Sequence, residues 1–204
     1  MNAKPTKRRT LGGSFKSPAD ESCRAKPAGS HASEKVLLYG YGNPGRGDDG
    51  LGPALAAAIE ELGMPGIAVD ANYQLTVEDA ANIAGYAAVV FADAAMQGPT
   101  PFWFSRIDDS VIGHVGWTSH SVSPAQVVAL ARDLFTSKVP AYALGIRGYE
   151  FGELDESLSP PARDNLAEAV TFARKALVER RFEHYVQEFG PAVGDVAGSP
   201  TWKA

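Results

Sequence analysis

Three short runs in this chain, "KVLLYG" from Lys35, "AAVVFADAA" from Ala87 and "PAYALGIRG" from Pro140, are apolar at consecutive positions instead of at every second one. A strand with that pattern needs cover on both faces, which points to a mostly parallel sheet packed between helices. The segments between the runs supply those helices. Leu51, Leu55, Ile59 and Leu62 recur at helical spacing, with Pro53 tolerable in a first turn and Gly63 a C-terminal stop. "GIAVDA" reads as a second strand, and "TVEDAANIAG" as a short helix in which Thr76 and Asp79 have capping-box spacing. "PFWFSRI" is a further strand, "SPAQVVALARDLF" a helix capped by Ser123 with Pro124 at its first position, and a long amphipathic helix runs from about Pro161 to Phe189. The expected architecture is a three-layer α/β/α open sheet, whose ligands collect at the carboxyl ends of the strands.

With 204 residues, 45% hydrophobic, the chain suits one globular domain with tails. Residues 1–33 are basic and rich in Gly, Ser and Pro without an apolar period, so they are expected to be disordered; 34–189 form the domain, and 190–204 a flexible end. No apolar stretch suits a signal peptide or a membrane span, so a soluble cytoplasmic protein, by default monomeric, is expected. The formal charge of -5 disfavours nucleic acid as a partner. The lone cysteine, Cys23, lies in the tail, which excludes an intramolecular disulfide and a Cys-rich zinc cage.

The stretch "VLLYGYGNPGRGDDGLG" contains a formal G-x-G-x-x-G at Gly40, Gly42 and Gly45, with Asp70 at the end of the second strand where a ribose ligand would stand. The rest of the loop argues against a nucleotide. Pro44 removes a backbone donor, and Asp48 and Asp49 follow at once. A phosphate about 4 Å from a carboxylate is repelled by roughly 4 kcal/mol at an effective dielectric near 20. A helix terminus returns only about 0.3–2 kcal/mol, and Arg46 offsets part of the deficit. The loop suits a cation better. One aspartate of the pair can cap the first helix while the other points into the crevice.

Asp93 emerges at the end of the apolar "AAVVFA", either as a strand-terminal residue making turn hydrogen bonds or as a functional group at the sheet edge. His120, in "WTSHSVSP", precedes the Ser123 helix start; His114 competes with it, while His31 lies in the tail and His184 on the terminal helix. Asp49, Asp93 and His120 together would offer two carboxylates and an imidazole from three successive loops, a donor set for a borderline divalent metal such as nickel or zinc. No G-x-S-x-G elbow is present. "PFWF" and Trp117 are read chiefly as core, with grip on a partner as the alternative.

Taken together, "GYGNPGRGDDGLG", "DANYQLTVEDA", "FADAA", "WTSHSVSP" and "GIRGYEFGELDESLSP" resemble the maturation proteases of nickel-iron hydrogenases, from about Val36 to Leu177. "YQLTVEDA" and "RGYEF" are most similar to those serving cytoplasmic multisubunit hydrogenases such as the bidirectional NAD-coupled type. The resemblance implies a twisted five-stranded sheet and an endopeptidase that trims the C-terminal extension of the hydrogenase large subunit. It also implies that Asp49, Asp93 and His120 engage nickel already loaded into that precursor, with no nucleotide. A nucleotide-binding enzyme using the glycine loop and a non-catalytic chaperone of the large subunit are the alternatives.

Overall fold

The structure, a computed structural model, describes residues 34–107, 122–152 and 156–190. Residues 1–33 and 191–204 of the expected tails, together with Cys23, His31, His114, Trp117 and His120, lie outside the described residues. Among the described residues five strands form one sheet: β1 (Val36–Tyr41), β2 (Ile67–Asn72), β3 (Ala88–Ala95), β4 (Phe102–Arg106) and β5 (Ala141–Arg147), in the order β2-β1-β3-β5-β4. All neighbours are parallel except β4 with β5. The helices are α1 (Leu51–Glu61), α2 (Asp79–Ile83), α3 (Pro124–Phe135), α4 (Pro160–Glu179) and α5 (Phe182–Phe189), and a 3-10 turn spans Gly47–Gly50.

The continuous apolar runs are the three inner strands, as two-faced burial requires. Along β1, Val36 and Leu38 join a core completed by α1, α4 and α5, whereas Leu37, Tyr39 and Tyr41 join a second core under α2 and α3. That alternation is the period of two that a pleated strand imposes, and it yields the three layers. β2, at the edge, becomes exposed along its second half. The "PFWF" residues are core: Phe102 and Phe104 stack among Phe172, Phe182 and Phe189, and the Trp103 ring lies over Gly145, where a Cβ would meet it at 2.2 Å.

The terminal helix is not continuous. Arg180 adopts a left-handed φ of 54° and caps α4 through its N–H on the Ala176 carbonyl, so the chain turns and α5 brings Phe182 and Tyr185 into the aromatic core. The Arg180 guanidinium bonds to the carbonyls of Glu34 and Gly66, which fastens the break to the start of β1. Neither Gly nor Pro marks this position, which is why periodicity ran through it.

α3 begins as expected, with Pro124 in its first turn, and the cap is reciprocal: Ser123 Oγ accepts from the Gln126 N–H while Gln126 accepts from the Ser123 N–H at 2.8 Å. It ends at Thr136, an exposed β-branched residue at φ 54°. Left-handed backbone costs non-glycine residues about 1–2 kcal/mol. Thr136→Gly is therefore expected to stabilise the protein by about 1 kcal/mol, raising Tm by about 2–4 °C in a thermal melt.

Candidate active site

Strand order reverses between β1 and β3. From β1 the chain proceeds outward to β2, and from β3 it proceeds to the other side of the sheet. The crevice beyond the carboxyl ends of two such strands is where open α/β sheets hold ligands. Asp49 stands in the turn after β1 and Asp93 near the end of β3, and both are buried, at 6% and 5% exposure.

Glycines make this junction tight. A Cβ on Gly40 would lie 2.3 Å from the Gly52 carbonyl oxygen, and one on Gly52 would lie 2.3 Å from that of Tyr41 and 2.5 Å from that of Ala92. The start of α1 thus rests directly on the ends of β1 and β3. Gly42, at φ +135°, faces the Asp49 carbonyl oxygen and Asp93 Oδ1, at 2.1 and 3.4 Å from its Cβ position. These glycines serve helix–strand packing, with Gly40 and Gly42 filled against by the protein's own backbone. Asp70, the residue a nucleotide reading would need, is exposed and its carboxylate takes the Ala71 N–H and the Asn82 amide.

Asp93 lies on the β3 face shared with Val89 and Phe91, the face covered by α3. Burial pushes its carboxyl up to about 8, against the opposing pull of the Ala94 N–H and the Tyr41 hydroxyl. At neutral pH it therefore holds its proton. Burial likewise raises the Tyr41 hydroxyl, with the Asp93 charge adding to it. Tyr41 had no motif to announce it; only its place at the end of β1, on the Asp93 face, gives it a role.

Asp48 differs sharply from its neighbour. It is fully buried and does not cap α1, whose N-cap is Gly50 without a side-chain bond. Its carboxylate accepts from the N–H groups of Tyr149, Glu150 and Ser159 and from the Ser159 hydroxyl. Burial opposes the charge, and these donors more than offset it, so Asp48 stays ionised below the ordinary range. The expected side-chain cap of α1 is absent, and Asp48 forms a long-range clasp in its place.

His120 lies outside the described residues. α3 packs on the Asp93 face, and Arg132, in its second half, lies beside Val139–Ala141 at the start of β5. Its first turn accordingly faces the carboxyl edge of the sheet. Among the described residues no three His, Cys, Asp or Glu side chains are grouped to hold a metal ion. None of the described helices is long and apolar enough to cross a membrane.

No protein-family model matches the sequence, and no curated protein does. Solved structures do match. A [NiFe] hydrogenase maturation protease, HycI from Thermococcus kodakarensis, superposes with a TM-score of 0.57 at 19% identity, covering 71% of this chain and 93% of that one. The fold is that of the hydrogenase maturation proteases. The hydrogenase maturating endopeptidase HybD from E. coli gives 0.56 at 18% identity over 72% and 94% of the two chains. A hydrogenase 2 maturation peptidase from a Thaumarchaeota archaeon gives 0.51 at 21% identity over 70% and 97%. At these identities the likeness establishes architecture, including the five-stranded, mostly parallel three-layer sheet.

Proposed function

We propose that this protein is an endopeptidase that removes the C-terminal extension of a nickel-loaded hydrogenase large-subunit precursor in the cytoplasm. The observation that carries this reading is the pair of buried carboxyl groups, Asp49 and Asp93, at the β1/β3 switch point of a fold shared with maturation proteases. In this reading nickel is cargo of the substrate. Asp49, Asp93 and His120 dock on it as two oxygen donors and one nitrogen donor, a set suited to a borderline divalent ion.

Docking holds the scissile peptide at the sheet edge, where positioning lowers the entropic barrier to attack by water. Asp93 gives up its proton as the metal arrives, and hydrolysis then adds one water across the peptide bond, leaving a new carboxylate on the large subunit and an amine on the released peptide. Asp49→Ala, Asp93→Ala and His120→Ala are each expected to slow processing by roughly 100-fold or more, measured as loss of the extension from nickel-loaded precursor. Wild-type rates in all three variants would remove the site assignment. Stabilisation of the protein by NAD in a thermal shift assay would favour the nucleotide-binding alternative, and copurification with an uncleaved large subunit without cutting would favour the chaperone.

A further inference from the structure

The 3-10 turn that carries Asp49 is tied to a segment about a hundred positions away through the residue before it, Asp48. Asp48 donates its N–H to the Glu150 carbonyl at 2.8 Å, and its carboxylate receives Tyr149 N at 2.7 Å, Glu150 N at 2.9 Å, Ser159 N at 2.7 Å and Ser159 Oγ at 2.8 Å. Two glycines permit this approach. A Cβ on Gly148 would lie 2.9 Å from Asp48 Cβ, and one on Gly47 would lie 2.8 Å from the Glu150 carbonyl oxygen. The same segment is anchored to β3, since Gly148 N–H bonds to the Ala95 carbonyl at 3.0 Å, two residues beyond Asp93. The contacts close a loop: Asp49 turn, Asp48 carboxylate, residues 148–150, end of β3.

We infer that Asp48 is a positioning residue whose carboxylate clasps the Asp49 turn to the Gly148–Glu150 segment and thereby fixes Asp49 relative to Asp93. This rests on the proteolytic reading for its effect on rate, and on the structure alone for the clasp. Asp48→Asn keeps the shape but turns an amide NH₂ toward N–H donors, so part of the cluster loses its acceptor. Processing of nickel-loaded precursor is expected to fall about 100-fold with far-UV circular dichroism unchanged. In an Asp49→Asn background the same change is expected to add less than roughly threefold, because a residue acting through Asp49 has nothing left to position. A general structural role would multiply the two losses.

Ser159→Ala, which removes the hydroxyl that donates to Asp48 and also caps α4 through the Ala162 N–H, serves where Asp48→Asn folds poorly. About a fivefold loss of processing is expected, absent from the Asp49→Asn background, whereas the lost cap lowers stability equally in both backgrounds. Hydrogen exchange on the free protein reads the clasp apart from activity: in Asp48→Asn the amides of both 47–50 and 149–150 are expected to exchange at least about tenfold faster. Unchanged exchange, wild-type processing by Asp48→Asn, or fully multiplied losses in the double variant would each overturn the inference. A wild-type protein that leaves the precursor uncut overturns the proteolytic reading instead, with the exchange result still deciding the clasp.

Discussion

Asp93→Asn yields a protein that is more stable at pH 8 and nearly inactive. An aspartate in the unfolded chain releases its proton near 3.8, whereas buried Asp93 retains it to about 8. Between those values the folded state binds the additional proton, so rising pH erodes stability across the window, and the loss is complete above the folded value. Asn does not titrate. The variant should therefore match wild type near pH 4 and exceed it progressively toward pH 8. At about 1.4 kcal/mol per pH unit the ceiling is roughly 6 kcal/mol, and a gain of at least about 2 kcal/mol is expected in urea melts at pH 8. Equal stability of the two proteins at pH 4 and pH 8 would contradict the buried, proton-holding carboxyl. The accompanying loss of processing, roughly 100-fold or more, identifies a group kept at the expense of stability.

Gly42→Ala has the opposite signature, loss of both stability and activity. The added methyl would sit 2.1 Å from the Asp49 carbonyl oxygen on a backbone at φ +135°, so sterics and torsion act together. Backbone atoms at the end of β1 cannot retreat as a flexible side chain does, and a destabilisation of about 3 kcal/mol or more is expected, lowering Tm by about 6–12 °C. Because Asp93 Oδ1 lies 3.4 Å from the same point, any relaxation disturbs the pair of carboxyl groups. Gly45→Ala is the control in the same loop, since its methyl meets only Asn43 Oδ1, at 3.3 Å, and its φ is not positive. Near-wild-type behaviour is expected there. Equal damage at Gly45 would indicate that a ligand approaches the loop backbone, as the dinucleotide motif requires.

These two residues show what the sequence made legible. Asp93 could be found because it ends an uninterrupted apolar run, and a charge at that point must be buried against something. The inner strands were visible for the same reason, and the capping chemistry of α3 was local to Ser123 and Pro124. What escaped was non-local. Asp48 and Asp49 are the same residue type side by side, and the donors that distinguish them, Tyr149, Glu150 and Ser159, lie about a hundred positions away. The antiparallel direction of β4 and the left-handed break at Arg180 likewise depend on the aromatic core that α5 completes, which no local pattern records.

The most direct test of the central claim is the mass of a hydrogenase large-subunit precursor before and after incubation with this protein, with and without nickel loaded. Loss of a C-terminal peptide from the nickel-loaded precursor alone is the predicted result. An unchanged mass in the nickel-loaded sample, or equal shortening with and without nickel, would contradict it.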